Sequence, residues 1–146
     1  KEEKRYVDQL LPIAEISTLL KNSDYIVICC PLTPLTKNMI TIKEIKLMKN
    51  TSFIINIARG GVIDDDALID ALDNNKIFGG ALDVFTDEPL QKNHPYFNYE
   101  NLFLSPHISG NFPEYQTDMI KQFIDNLICF LNGKALKNRI CKKRLY

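Results

Sequence analysis

The spacing of apolar residues changes from segment to segment along the chain, and each spacing predicts an element. Over residues 12–21, Ile13, Ile16, Leu19 and Leu20 recur at helical intervals behind Pro12, which suits a first helical turn. Asn22, Ser23 and Asp24 end that helix. Residues 25–30 are a continuous apolar run with β-branched side chains, the pattern of a strand buried on both faces. Pro31 and Pro34 make 31–36 a loop. Thr41 is placed to cap a short helix reaching Met48, with Glu44 closing a capping box. The run 53–57 predicts the next strand and 65–74 the next helix, with Ala67, Leu68, Ala71 and Leu72 on one face and acids in its first turn. A further strand is expected over 77–84, where Gly79 and Gly80 mark close approach by another backbone. A polar, proline-containing loop covers 86–100. A short strand follows at 102–104. Over 114–132 a long amphipathic helix carries Met119, Ile120, Phe123, Ile124, Leu127, Ile128 and Leu131, and Gly133 ends it. Residues 134–146 read as irregular.

Strands thus alternate with helices, which predicts an α/β fold: a mostly parallel sheet with helices on both faces. The 146 residues suffice for one domain with a sizeable core, and 45% hydrophobic with 25% charged residues is ordinary for a globular domain. Eighteen basic residues balance eighteen acidic ones, so no electrostatic footprint for nucleic acid or an anionic membrane exists. Lys142, Lys143 and Arg144 are too few to change that. Apolar runs fall short of a membrane span. The charged start, Lys1 to Arg5, does not read as a signal peptide. Cys29, Cys30, Cys129 and Cys141 show neither a pairing nor a metal-ligand spacing and suit a reducing compartment, with the cytoplasm as the default. Asp64, Asp65 and Asp66 open a helix, where acids are favoured without any cation, so no metal is expected.

The candidate chemistry lies at the strand ends. Arg59 follows one predicted strand, Asp83 ends another with Glu88 just beyond, and His107 follows the last. In a parallel sheet these ends share one edge, the usual ligand edge of open α/β sheets. A guanidinium there grips a carboxylate with two parallel hydrogen bonds. A histidine gives or takes a proton near neutral pH, and a carboxylate on its other nitrogen fixes the tautomer. Each residue also has a plainer reading: Arg59 as a solvated loop residue, Glu88-Pro89 as a turn, His107 as a loop histidine bonded to backbone. His94, before Pro95, reads as structural or exposed.

Four ordered motifs carry a resemblance. Cys30-Pro31-Leu32-Thr33-Pro34-Leu35-Thr36, Asn56-Ile57-Ala58-Arg59-Gly60-Gly61-Val62-Ile63-Asp64, Gly80-Ala81-Leu82-Asp83-Val84-Phe85-Thr86-Asp87-Glu88-Pro89 and Ser105-Pro106-His107-Ile108-Ser109-Gly110 resemble the D-isomer-specific 2-hydroxyacid dehydrogenases in order and spacing. The resemblance implies the second half of a Rossmann-like dinucleotide-binding domain, and hydride transfer between NAD or NADP and a small 2-oxo or 2-hydroxy acid. It implies that Arg59 binds the substrate carboxylate, that His107 protonates the carbonyl oxygen, and that Glu88 pairs with His107. Asp83 would accept from the nicotinamide carboxamide, and the backbone at Ile57 and Ala58 would face the same ring. Cys30, Pro31 and Thr36 would lie along the cofactor, Arg59 and His107 would border it as well, and Gly110 would admit its nicotinamide end. The glycines beside Arg59 are expected to keep the cleft open.

The departures are equally specific. The family's Gly-x-Gly-x-x-Gly turn, its ribose selector and its separate substrate-binding domain have no counterpart in these residues. The chain therefore reads as the C-terminal part of a longer enzyme, dimeric by resemblance, and as binding cofactor weakly and turning nothing over by itself. Ser109 stands where many relatives have glycine, Asn111 follows Gly110, and Phe97 replaces a common tryptophan. Two further readings remain open here: an NAD(H)-sensing module like the corepressors related to this family, and an inactive truncated relative that only oligomerises.

Overall fold

In a computed structural model of the chain, describing residues 6–142, the four predicted strands form one parallel sheet in the order β1-β2-β3-β4. The charged run 1–5 and the last four residues of the basic tail lie outside the described residues. The chain divides into two compact units, Lys1–Pro106 and His107–Tyr146.

The first unit holds the sheet. A 3₁₀ turn, Ile13–Glu15, leads into α1 (Ile16–Asn22) and then β1 (Tyr25–Ile28). α2 (Ile42–Ile45) precedes β2 (Phe53–Asn56), and α3 (Asp65–Asp73) precedes β3 (Gly79–Leu82). A second 3₁₀ turn, Pro95–Asn98, sits inside the long polar loop before β4 (Leu102–Leu104). The expected capping box is present on α2: the Thr41 hydroxyl accepts from the helix backbone, and Glu44 accepts from the Thr41 amide at 3.0 Å. α3 is capped by Asp64, whose carboxylate accepts from the Ala67 amide at 2.9 Å.

One face of the sheet builds the core. Ile26, Ile28, Ile54, Leu82 and Leu102 point into a cluster with Leu20, Ile45, Val62, Leu68, Leu72 and Tyr96. Each such apolar side chain withdrawn from water stabilises the fold by about 1.5–3 kcal/mol. The expectation that the first strand is buried on both faces does not hold. β1 alternates exposed and buried, with Tyr25 72% exposed. On that outer face Tyr25, Phe53 and Phe103 form a row, with ring centroids 6.3 and 6.2 Å apart. Phe53 reaches Phe103 across β3 because its partner there, Gly79, has no side chain. A β-branched apolar run states that a strand is apolar on both faces, not that both faces are covered.

The close approach expected at the β3 glycines is present. A Cβ on Gly79 would collide with the Asn101 carbonyl, and one on Gly80 would fall 2.9 Å from the Ile54 carbonyl oxygen. The sheet register continues past the strand ends, with the Asp83 amide donating to the Asn56 carbonyl and the Ser105 amide to the Leu82 carbonyl, each at 3.0 Å. These bonds bring 56–57, 83 and 105 together along the carboxyl edge.

In the second unit, α4 (Tyr115–Leu131) buries no residue. Its stripe of Met119, Ile120, Phe123, Ile124, Leu127, Ile128 and Leu131 is exposed. The Asn126 side chain accepts from the Lys137 amide at 2.8 Å, tying the irregular tail to the helix. Among the described residues no helix is long and apolar enough to cross a membrane.

Candidate active site

Arg59 sits on a turn whose shape is set by Asn56. That side chain, 2% exposed, accepts from the Ala58 amide at 3.1 Å and donates to the Arg59 carbonyl at 2.9 Å. An asparagine that bonds its own backbone two residues on makes a turn without help from the sheet. Asn56 belongs to one of the four motifs, yet residue type alone assigned it no role. Its signal is its place, an amide residue at the last position of an apolar strand. The Arg59 guanidinium is exposed, donates to the Ala58 carbonyl at 2.6 Å, and forms no ion pair with a carboxylate among the described residues.

The two glycines after it do different work from that expected. Gly61 takes a φ of 75°, a left-handed conformation that glycine adopts without strain. Gly60 lies against Phe85: a Cβ there would strike the Phe85 carbonyl. The glycines therefore do not hold a gap open. They let the arginine loop press onto the loop that carries Glu88.

The loop 31–36 joins the same edge. The Asn38 amide donates to the Gly61 carbonyl at 2.8 Å, and Ile40 pairs with Ile63. The Thr36 hydroxyl donates to the Pro31 carbonyl at 2.6 Å and accepts from the Thr33 amide at 2.8 Å, so its hydrogen bonds shape the loop itself. Cys30 is half-buried, and burial raises its thiol pKa, which keeps it a neutral wall rather than a thiolate. Beside it lies an apolar hollow of about 190 Å³, walled by Leu11, Ile16, Ile28, Cys30 and Met39.

Asp83 is 3% exposed at the end of β3, and the Ser105 hydroxyl donates to it at 2.5 Å. Ser105, like Asn56, gains its role only from the structure. Ile57 is exposed and Ala58 half-buried, with the Ile57 amide 3.4 Å from the Ile28 carbonyl. Glu88 is exposed and precedes a cis proline bond. Its carboxylate accepts from the Phe85 amide at 2.9 Å, which folds the side chain over its own loop. His94 is structural, as expected: its Nδ1 accepts from the Tyr96 amide at 3.3 Å and caps the second 3₁₀ turn.

The other two candidates open the second unit. His107 is exposed with a φ of 55°, a left-handed conformation uncommon outside glycine and found more often at functional sites. Gly110 is exposed, and among the described residues nothing but its own chain neighbours lies within 4 Å of where its Cβ would stand. Among the described residues no group of three metal-ligating side chains occurs.

Arg59, Cys30, Pro31, Thr36, Ile57, Ala58, Asp83 and Glu88 thus belong to loops at the carboxyl edge of one sheet. That edge offers an exposed guanidinium, a buried carboxylate and an apolar hollow, a set suited to a dinucleotide's flat ring and a small acid.

Comparison with known proteins points the same way. Residues 1–109 match the family model described as D-isomer specific 2-hydroxyacid dehydrogenase, NAD binding domain. A glyoxylate reductase of Thermofilum pendens is 40% identical over 144 residues, covering 94% of this chain and 42% of the relative. A glyoxylate/hydroxypyruvate reductase B of Salmonella newport is 38% identical over 124 residues, covering 85% of the chain and 38% of the relative. The chain therefore spans about two fifths of the length of the curated relatives it matches. A crystal structure of a D-isomer-specific 2-hydroxyacid dehydrogenase from Xanthobacter autotrophicus Py2, in complex with NADPH and MES, superposes with a TM-score of 0.84 at 28% identity, over 91% of this chain and 54% of that one. The chain belongs to the D-isomer-specific 2-hydroxyacid dehydrogenase family, through its NAD-binding domain.

Proposed function

We propose that this chain supplies the nicotinamide side of the active site in an NAD(P)-dependent reductase of small 2-oxo acids, in the range of glyoxylate and hydroxypyruvate. The observation that carries the reading is the exposed Arg59 guanidinium, held on its Asn56-folded turn at the sheet edge that also carries the buried Asp83. A bound NADH or NADPH supplies the hydride. The chain's residues do the rest. Arg59 grips the substrate carboxylate in the fork geometry a guanidinium allows and fixes which face of the carbonyl is presented. The backbone carbonyls and amides around Ile57 and Ala58 line the nicotinamide ring, and Asp83 accepts from its carboxamide. Cys30, Pro31 and Thr36 border the rest of the cofactor, with the apolar hollow beside Cys30 as the place for a flat apolar ring. Gly110 leaves its backbone bare for the nicotinamide end. His107 delivers a proton to the carbonyl oxygen as negative charge develops there, and Glu88 orients it. Balanced charge fits a small anionic substrate and no nucleic-acid or membrane partner. A homodimeric, cytoplasmic enzyme goes with this reading.

The test is oxidation of NADH and NADPH by the full-length protein with glyoxylate, hydroxypyruvate, pyruvate and a bulkier 2-oxo acid. Turnover is expected for the small acids. His107→Ala should lower kcat by roughly 10²–10⁴-fold, the usual worth of a positioned proton donor. Arg59→Ala should raise KM for the oxo acid by more than it weakens NADH binding. Tight NADH binding with no turnover of any acid would replace this reading with that of a sensing module.

A further inference from the structure

The arginine loop and the glutamate loop meet at one carboxylate that neither motif includes. Asp65 is the first residue of α3, directly after the turn that Arg59 opens. Its Oδ2 accepts from the Thr86 hydroxyl at 2.7 Å, and its Oδ1 accepts from the Tyr96 hydroxyl at 2.7 Å. Thr86 lies two residues before Glu88, in the loop whose Phe85 backbone presses on Gly60. Tyr96 is the buried ring of the second 3₁₀ turn, at the far end of the same loop. Both ends of the segment bearing Glu88 are therefore tied to the helix that follows Arg59. Between these two ties a hollow of about 240 Å³ lies among Asp65, Phe85, Thr86, Leu90, His94 and Tyr96. A carboxylate with both oxygens engaged by hydroxyls at 2.7 Å has one orientation, and bonds to a charged acceptor are the strong kind.

We propose that Asp65 is a positioning residue that holds the Glu88 loop against the Arg59 loop, so that the substrate clamp and the partner of the proton donor keep one spacing. This rests on the function proposed above. Asp65 touches no substrate and acts through Thr86 and Tyr96. The plainer account is that an acid in a first helical turn stabilises that helix through its charge. Asp66, the next residue, is exposed and supplies the same charge without reaching either loop, so it separates the two accounts.

The experiment uses full-length protein carrying Asp65→Ala, Thr86→Val or Asp66→Ala. With glyoxylate and NADH, Asp65→Ala is expected to lower kcat about tenfold and raise KM for the oxo acid several-fold. Its NADH Kd should stay within twofold. Thr86→Val, which loses only one tie, should show a smaller change of the same kind, and Asp66→Ala no change. Partial unfolding alone would lower kcat and leave KM where it was, and that result overturns the proposal. Amide hydrogen exchange is measured on the same proteins. Exchange over 58–64 and 85–90 should accelerate together in Asp65→Ala and Thr86→Val, and not in Asp66→Ala. If the unaltered protein reduces no 2-oxo acid, the functional reading fails and exchange alone decides. Joint acceleration upholds the positioning role, and acceleration of one segment or neither overturns it. Should Asp65→Ala fail to fold, Thr86→Val decides the matter by the same measurements.

Discussion

Asn56 and Gly60 show how much of the arginine's placement rests on residues with no chemistry of their own. Asn56 satisfies one backbone donor and one backbone acceptor in a turn with no ladder to do so. Removing it strands both groups near the core edge, at about 1–3 kcal/mol for a buried group left without a partner. Asn56→Ala should therefore lower the urea midpoint without changing the slope. Asn56→Asp should recover little, because a carboxylate keeps the bond from the Ala58 amide but turns an oxygen toward the Arg59 carbonyl. The glycines give a sharper contrast. Gly60→Ala drives a methyl group into the Phe85 carbonyl, and relief requires the arginine loop to lift away. The cost expected for such overpacking is about 1–3 kcal/mol. Gly110→Ala meets only open space, so its stability should match the parent within about 0.5 kcal/mol. Any loss of NADH affinity in Gly110→Ala is then a statement about the cofactor and not about the fold.

Among the elements, the second 3₁₀ turn and α3 are joined by a bond that titrates. Burial first, and the hydrogen bond to Asp65 next, push the Tyr96 hydroxyl well above its ordinary pKa of 10.0. A group whose folded pKa is raised contributes stability that is complete below its unfolded value and is lost as pH rises through the interval above it. The fold should therefore weaken above about pH 10 as the unfolded phenol ionises and the folded one does not. Tyr96→Phe removes the hydroxyl and should flatten that limb of the stability curve while lowering stability at neutral pH, as chemical unfolding from neutral to alkaline pH would show. Glu44 behaves oppositely. The Thr41 hydroxyl holds its pKa down, so the capping box contributes above the ordinary 4.5 and fades as pH falls below it. The capping box was legible in the sequence because its two partners are three residues apart. The Tyr96–Asp65 bond was not, because thirty-one residues separate them and a 3₁₀ turn has no period to announce it. The same divide runs through the site. Arg59, Asp83, Glu88 and His107 stand out by residue type at strand ends, which is what makes them candidates. What holds them, Asn56 excepted, comes from distant loops: Phe85 against Gly60, Ser105 on Asp83, Thr86 on Asp65. Alternation also failed to show which strand face is covered, since Tyr25 and Ile26 are both apolar and only one is buried.

At the scale of the whole molecule the apolar outer face of the first unit's sheet sets a physical expectation. Tyr25 and Phe103 are 72% and 65% exposed on a row with Phe53, and α4 exposes its own apolar stripe. Large contiguous apolar patches on a surface mark interaction sites or association liabilities. These 146 residues alone should bind a hydrophobic dye such as ANS and self-associate with rising concentration. Tyr25→Lys with Phe103→Lys places two charges on the sheet face and leaves the opposite, core-facing side chains untouched. Each replaced ring loses an aromatic contact worth about 0.5–1.5 kcal/mol, small beside the burial on the other face. Far-UV circular dichroism should therefore stay unchanged while dye binding and sedimenting mass both fall. Asn56, which folds the arginine turn, is buried on the opposite face of β2 from Phe53, so the arginine turn should keep its protection from amide exchange in the double variant. Dye binding that persists in full after both substitutions would assign the association to α4, and loss of the circular dichroism signal would mean that the aromatic row contributes to the fold itself.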